Sequence, residues 1–458
     1  MSIFPLLALK IVSFENPKPP ISMKRIYPFF PALFSLIVLL GMSGCQDTCE
    51  QTFTYTFYEP VTISKKDFYA SARVLAPQTV SKPGKIYIKD KYLFINELNK
   101  GIHVFDNRNP SAPRAISFIN IPGNVDLAVK GNILYADSKM DLLAIDISNP
   151  EEVKVVKWIA NTFPSTQYYP GQFRSGVFSL DTSRIILEWT KKEEKKVSGC
   201  DNFQSGWFLM GGDVWFAQDS RAFANSASSA PASFSSGSGK GGSMARFAVV
   251  KNLLYTVDQS TLHLYDVTKA ENPVAGRQLG IGSGVETIFP YGQHLFFGTT
   301  TGMLIYNISN PENPVFTSST THFVGCDPVA VEGDYAYITV KGGTSCRSSW
   351  PSQLEVVDIS TIAKPVTIKT YPMEDPNGLG VDGKSLFVCD GKAGLKIYDL
   401  TDRTALDKNM IGAKNIHSYD VIPFNNIAIV IGNDGLYQYD YTDPKNLKLL
   451  SVINVAAD

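Results

Sequence analysis

A nine-residue phrase recurs along this chain at a spacing close to 41 residues. It reads LLAIDISNP at 142–150 and MLIYNISNP at 303–311. Related segments carry an Asp or Asn at the same point of the phrase, and the successive gaps between these residues are 40, 120, 41, 51, 41 and 41. A fixed period of this length is typical of a repeat architecture. The recurring residues are Asp106, Asp146, Asp266, Asn307, Asp358, Asp399 and Asp440.

A second column of large apolar residues supports the repeat. Most of its members lie 11 or 12 residues before the recurring Asp or Asn, whereas Tyr337 lies 21 residues before Asp358. The extra residues of that unit therefore fall within 341–353. Each unit contains four short runs rich in β-branched and aromatic residues, which predicts an all-β fold, a β-propeller of four-stranded blades. The column comprises Phe94, Tyr135, Tyr255, Phe296, Tyr337, Phe387 and Ile429.

The recurring Asp or Asn is interpreted as a turn residue. It ends the third strand of its unit, where its side chain can accept hydrogen bonds from the backbone N–H groups that follow. The Pro that often comes next has a fixed φ and no backbone donor to lose. The phrase therefore predicts structure rather than catalysis.

The gap of 120 residues determines the number of blades. One interval would carry an insertion of about 79 residues, and two intervals would leave about 38. The segment GVFSLDTSRIILEW at 176–189 has the pattern of a first and second strand. Eight blades are therefore expected over 81–458, one of them interrupted at about 190–240, with seven as the alternative. The low-complexity stretch 224–242 is predicted to be a surface insertion, with a lid as the alternative.

The repeat resembles a known family. The segments LLAIDISNP and LEVVDIS (354–360) are close to the core of the LVIVD repeat, and the chain resembles LVIVD-repeat β-propeller proteins of the Bacteroidetes type over roughly 84–456. The segment 326–346 is also similar to one that recurs in those proteins. Because the family is defined by its repeat, the resemblance implies a fold and no catalytic residues.

The N-terminal stretch resembles the signal of a bacterial lipoprotein. Lys24 and Arg25 precede an apolar run at about 29–40, and MSGC then ends at Cys45. The resemblance implies a signal peptide over 1–44 that starts at Met23, lipid on Cys45, a tether over 45–80, and a location at the outer membrane, facing the periplasm or the cell surface. An uncleaved anchor helix with a chance Cys is the alternative.

Two cysteines are candidates for a disulfide. Cys326 begins a first strand, and Cys346 lies in the longer loop between the second and third strands of the same blade. Outside the cytoplasm such a bond can persist. Pairing of Cys49 with Cys200 stays open, because connectivity does not follow from sequence.

Four carboxylates are candidates for ligand binding. Glu97, Asp137, Asp258 and Asp390 lie at or near the ends of second strands, where they could ring one end of the central channel and bind a cation or a polar ligand. Solvated turn carboxylates are the alternative. The His residues lack metal-binding spacing, so neither a metal site nor a cofactor is predicted.

The leading functional hypothesis is a lipid-anchored, extracytoplasmic binding module for a protein or a glycan. The net charge of −1 provides no basic field for nucleic acid. One alternative is a scaffold of outer-membrane assembly, since the architecture resembles the eight-bladed lipoprotein of that machinery, although the repeat differs. The other is an enzyme with its site in the channel mouth, for which no catalytic residues are assigned.

Overall fold

The computed structural model describes residues 50–163, 183–199, 240–322, 325, 328–342 and 351–456. The chain divides into two compact units, one of residues 56–193 and 214–458, the other of residues 1–55 and 194–213. The first unit contains seven sheets built around four consecutive strands each, and these sheets are the blades. In the second unit the described residues are 50–55 and 194–199, which belong to two paired strands.

Thirty-two strands and one helix lie in the described part of the chain. Outside the blades are β1 (Glu50–Ser64), α1 (Lys65–Ser71), β2 (Arg73–Leu75), β11 (Arg184–Gly199) and β12 (Lys240–Gly241). Blade 1 is formed by β3 (Pro83–Lys89), β4 (Tyr92–Glu97), β5 (Gly101–Asp106) and β6 (Arg114–Asn120). Blade 2 is formed by β7 (Leu127–Lys130), β8 (Ile133–Ser138), β9 (Asp141–Asp146) and β10 (Lys154–Ile159). Blade 3 is formed by β13 (Phe247–Val250), β14 (Leu253–Asp258), β15 (Thr261–Asp266) and β16 (Val274–Gly280).

Blades 4 to 7 follow without interruption by other strands. They are formed by β17 (Val285–Tyr291), β18 (His294–Thr299), β19 (Gly302–Asn307) and β20 (Val315–Thr321); β21 (Val329–Glu332), β22 (Tyr335–Val340), β23 (Gln353–Asp358) and β24 (Val366–Pro372); β25 (Leu379–Asp382), β26 (Ser385–Cys389), β27 (Leu395–Asp399) and β28 (Met410–Lys414); β29 (Ser418–Phe424), β30 (Ile427–Gly432), β31 (Gly435–Asp440) and β32 (Lys448–Asn454).

The first strands of successive blades lie next to one another and surround a central channel. Because neighbouring strands within a blade are antiparallel, the connections between first and second strands and between third and fourth strands share one face, here called the turn face. The connections between second and third strands and from each blade to the next share the opposite face, here called the loop face. This division fixes the face on which each loop lies.

The recurring phrase forms the turn between the third and fourth strands, as predicted. In every blade its Asp or Asn ends the third strand and accepts a hydrogen bond from the backbone N–H two residues later, at 2.7–3.1 Å. At Asp146 the hydrogen bonds from Ser148 lower the pKa of the carboxyl. These residues are therefore held by local turn chemistry.

The column of large apolar residues joins each blade to the next. All seven members are almost fully buried in second strands. The Tyr255 hydroxyl donates to the Pro311 carbonyl at 2.6 Å, and the Tyr135 hydroxyl donates to the Ala270 carbonyl at 2.8 Å. Each accepting carbonyl lies in the recurring turn of the following blade. The two repeated features of the sequence thus meet across the blade interface.

The structure has seven blades, which was the alternative, and the prediction of eight was wrong. Residues 184–189, expected in a degenerate blade, belong to β11, which pairs with β1 in a separate two-stranded sheet. The physical reason lies in the polarity of β11. Its second half, KKEEKKVSG, could not take the place of a second or third blade strand, because those strands are buried along most of their length between neighbouring blades.

No blade combines strands from the two ends of the chain, because blade 7 is formed by the last four strands alone. Instead, Val80 forms a parallel bridge with Val455. The Asn107 and Gln438 side chains exchange two hydrogen bonds of 2.9 and 2.8 Å between blades 1 and 7. A shared apolar core covers the same junction. These closing contacts are noncovalent and combine a backbone bridge with side-chain hydrogen bonds and apolar packing.

The segment before blade 1 packs against the propeller over blades 1 and 2. Strand β2 adds to the outer edge of β6. The ring of Tyr69 packs edge-on against Trp158, with 4.7 Å between their centroids. The Ser64 hydroxyl caps helix α1 by accepting from the Asp67 N–H at 3.1 Å. Part of the predicted tether thus has regular structure.

The bond between blades 3 and 4 gives a stability prediction. Tyr255→Phe removes the hydroxyl that reaches Pro311 and should lower the free energy of unfolding by about 1 kcal/mol. Tyr92→Phe is the matched control, because the Tyr92 ring is half-buried and, within the described part of the chain, its hydroxyl makes no hydrogen bond to another blade. Urea denaturation measures both. Equal effects of the two variants would contradict a role for the hydroxyl in blade contact.

Candidate functional site

Both large departures from the 41-residue repeat are inserted between strand ends that lie on the loop face. The connection from β10 to β13 runs from 160 to 246, and the connection from β22 to β23 runs from 341 to 352. The corresponding connections of the other blades are short, such as 98–100 and 281–284. Unequal loops concentrated on one face of a repeat protein are typical of a binding surface.

The end of the longer connection enters the central channel. We call residues 240–246 the plug. Its first two residues form β12, which pairs with the inner edge of β3 through Lys240 opposite Ile88 and Gly241 opposite Tyr87. The next four residues of the plug are buried. The sequence predicted 240–242 as part of a surface insertion, and for Gly242, which is buried, that prediction was wrong.

The plug makes hydrogen bonds to five of the seven blades. The Lys85 ammonium donates to the Met244 carbonyl in blade 1's part of the channel, and the Asp126 carboxylate before blade 2 accepts from the Arg246 N–H. Further hydrogen bonds run from the Val257 N–H to the Arg246 carbonyl at 2.9 Å, from the Ile288 N–H to the Ala245 carbonyl at 2.8 Å, and from the Leu379 N–H to the Ser243 hydroxyl at 3.4 Å.

Buried polar side chains of blades 1 and 2 form a network behind the plug. Lys85 pairs with Asp126 at 3.0 Å, and both side chains are less than 10% exposed. Asn124 joins this pair to Asp137, because its Nδ2 donates to the Asp126 carbonyl and to the Asp137 Oδ1, each at 2.8 Å. The Asn124 Oδ1 accepts from the Asn96 Nδ2 at 2.6 Å. We call these five residues the inner polar network.

Burial shifts the pKa values of the network. It lowers the pKa of Lys85, while the nearby Asp126 carboxylate opposes that shift. It also raises the pKa of Asp137 to about 6, although the backbone N–H groups of Asp126 and Val125 donate to that carboxyl. Near neutral pH the network therefore holds ionisable groups at an energetic cost.

Three of the four predicted carboxylates pair with a cation-forming side chain in their own blade. Glu97 lies 3.0 Å from the His103 Nε2, Asp258 lies 3.3 Å from the His263 Nε2, and Asp390 lies 2.5 Å from the Lys396 ammonium. All three carboxylates are almost fully buried, and so is Asp137, the fourth, in the inner polar network. Asp137 thus lies at the channel wall, whereas each of the other three carboxylates pairs with a side chain of its own blade.

The pairing follows from strand register, which the sequence did not resolve. His103, His263 and Lys396 occupy the same place in three third strands, opposite the residue after the apolar column. Burial would raise the pKa of Glu97, but hydrogen bonds from His103, Ser81 and Lys82 lower it to about 2. In the sequence, the signal that could have indicated these pairs is the spacing of five or six residues from each carboxylate to its partner.

Several predictions fall on other parts of the chain. Cys45, Cys49, Cys200, Cys326 and Cys346 lie outside the described residues, so lipidation and the disulfide stay predictions. Among the described residues, no group of three or more His, Cys, Asp or Glu could hold a metal ion. Within the same ranges, no helix is long and apolar enough to cross a membrane.

Comparison with known proteins identifies the repeat. The LVIVD repeat family model matches residues 123–156 and 326–372, so the chain contains LVIVD repeats, as predicted. No curated protein matches the chain. Similar solved structures include a protein from Lactobacillus plantarum (12% identity, 84% of this chain and 96% of that chain, TM-score 0.49) and BamB from Moraxella catarrhalis (9%, 83% and 96%, 0.45). At these values the similarities do not indicate what this chain binds.

The raised pKa of Asp137 predicts a pH-dependent stability. Its carboxyl titrates at about 6 when folded and at its ordinary 3.8 when unfolded, so the ionised form destabilises the fold increasingly as pH rises between these values. Asp137→Asn keeps the Oδ1 acceptor and removes the charge. We expect the variant to be more stable at pH 8, by up to about 3 kcal/mol, and to lose this advantage below about pH 4.

Asp146→Asn on the turn face is the matched control, with the opposite sign. Folding lowers the pKa of Asp146, so its ionised form stabilises the fold at pH values above the ordinary pKa of Asp. This contribution disappears as the pH falls through the pKa of the folded state. The control should lose stability at pH 8 and match the wild type in acid. Urea denaturation across pH measures both variants, and the same trend in the two would contradict the assignment.

Proposed function

We propose that this protein is a lipid-anchored, extracytoplasmic binding module whose loop face binds a protein or a glycan. One observation carries the proposal: both long insertions connect strand ends on that face. On the turn face every connection between first and second strands has two residues, and every connection between third and fourth strands has seven, except for ten in blade 6. Turns that serve only to close blades have no reason to differ between blades. Loops that contact a partner acquire their own length and sequence.

The ring supports this role as a rigid platform. Buried second-strand residues and cross-blade hydrogen bonds hold neighbouring blades in fixed orientation. The loops at the blade ends are therefore presented in a fixed arrangement, and a partner that binds them loses little free energy to ordering the platform. Scaffolding and catalysis in the channel mouth remain the competing functions, and the experiments below distinguish them.

The lipid anchor belongs to the same proposal and gives a labelling prediction. Cells grown with an alkyne-bearing palmitate should label the wild-type protein, and Cys45→Ala should lose the label and leave the membrane fraction. Cys49→Ala is the matched control, because it removes a thiol four residues away and leaves the lipobox-like MSGC intact. Labelling that persists in Cys45→Ala would refute the anchor.

Site-specific crosslinking tests which face binds a partner. A photoreactive residue at Lys392 or Asn433 lies on the loop face, and one at Lys384 or Asn426 lies on the turn face of the same two blades. All four positions are exposed. Irradiated whole cells should give adducts from the loop-face positions only. Adducts from the turn-face positions alone would contradict the proposal.

The identity of the adduct separates the classes of function. Recurrent recovery of the outer-membrane barrel-assembly complex would favour a scaffold. Binding on a glycan array without turnover of the bound sugar would favour a glycan-binding module. Turnover would favour an enzyme with its active site in the channel mouth.

A further inference from the structure

The plug is an occupant of the channel rather than a component of the ring. Seven four-stranded blades are complete without it, and the closing contacts between blades 1 and 7 do not involve it. The plug nevertheless extends the sheet of blade 1 at its inner edge, where β3 would otherwise present unpaired backbone groups. Adding a strand to a sheet edge is a recurrent mode of peptide recognition.

The channel recognises the plug mainly through its main chain. Lys85 and Asp126 direct charged groups to the Met244 carbonyl and the Arg246 N–H, and the Ile288 N–H donates to the Ala245 carbonyl. Such contacts do not depend on which side chains the occupant carries. The buried charges of Lys85 and Asp126 are costly, and the plug supplies part of the hydrogen bonding that offsets this cost.

The composition of the plug shows what the channel admits. Its sequence is KGGSMAR, and Met244 is the one large side chain among its buried residues 242–245. A Cβ added at Gly241 would lie 3.0 Å from the Tyr87 ring, so the backbone runs close to the channel wall. The space suits an extended segment of small residues with a single apolar anchor.

We propose that the central channel is a binding site for an extended peptide of small residues, filled in cis by the plug, and that a segment of a partner protein takes the same contacts. The inference rests on the proposed function, since it names the site and the chemical class of the partner. The covalently attached plug competes at an effective concentration of about millimolar. A partner therefore binds when its segment outcompetes the plug.

A labelled peptide of residues 240–246 tests the proposal on the full-length protein. In Gly241→Val the larger side chain meets Tyr87 and should displace the plug, so the peptide should bind this variant at least about tenfold more tightly than the wild type. Gly280→Val is the matched control, because a Cβ there meets no atom within 4 Å. It should behave as the wild type.

Two further comparisons establish where the peptide binds. Adding Lys85→Met to the Gly241→Val protein removes the donor to the Met244 carbonyl and should weaken peptide binding about ten- to a hundredfold. N-methylation of the peptide at the residue equivalent to Arg246 removes the N–H that donates to the Asp126 carboxylate, and it should weaken binding by a similar factor. Fluorescence anisotropy measures each affinity, and thermal melts verify folding.

The proposal fails if the folded Gly241→Val protein does not bind the peptide, or if Lys85→Met leaves the affinity unchanged. The plug is then a structural element only. If Gly241→Val does not fold, Gly241→Ala, which adds the single Cβ, provides the same comparison. Loop-face crosslinks in cells that persist alongside a failed peptide assay would refute the channel site and leave the proposed function standing.

Discussion

The structure depends on the contact between a buried second-strand residue of one blade and the recurring turn of the next. An isolated four-stranded sheet would leave both of its faces exposed, so each blade is stable only between two others. Tyr135 and Tyr255 bury their rings in this interface and donate their hydroxyls to turn carbonyls of the following blade. One side chain thus supplies apolar burial and a directional bond, which sets the position of successive blades.

This arrangement leaves the centre of the ring as a problem of its own. The first strands have inner edges with unpaired backbone groups, and the channel wall carries buried charges at Lys85 and Asp126. The plug satisfies part of both requirements, because it pairs with β3 and contacts these two side chains. A channel that needs an occupant for these reasons is suited to exchange one occupant for another of similar main-chain geometry.

Much of the fold could be predicted from sequence because its determinants are local. The recurring Asp or Asn bonds to a backbone N–H two residues later, so its role is readable within a few residues. The number of blades was not readable in this way. Whether residues 184–189 join a blade depends on their pairing with 50–64, more than a hundred residues away. The buried pairs of Glu97 and Asp258 depend on register between strands and were missed for a similar reason.

The sequence by itself determined the period, the four-strand unit and the turn chemistry, since each follows from neighbouring residues. Only the tertiary structure decided that seven blades close the ring, that Asp137 lies in a buried network, and that 240–246 fill the channel. These depend on which distant groups meet once the ring has closed. Glycine, serine and alanine carry little pattern in sequence, but their small size is what lets a backbone enter a narrow channel.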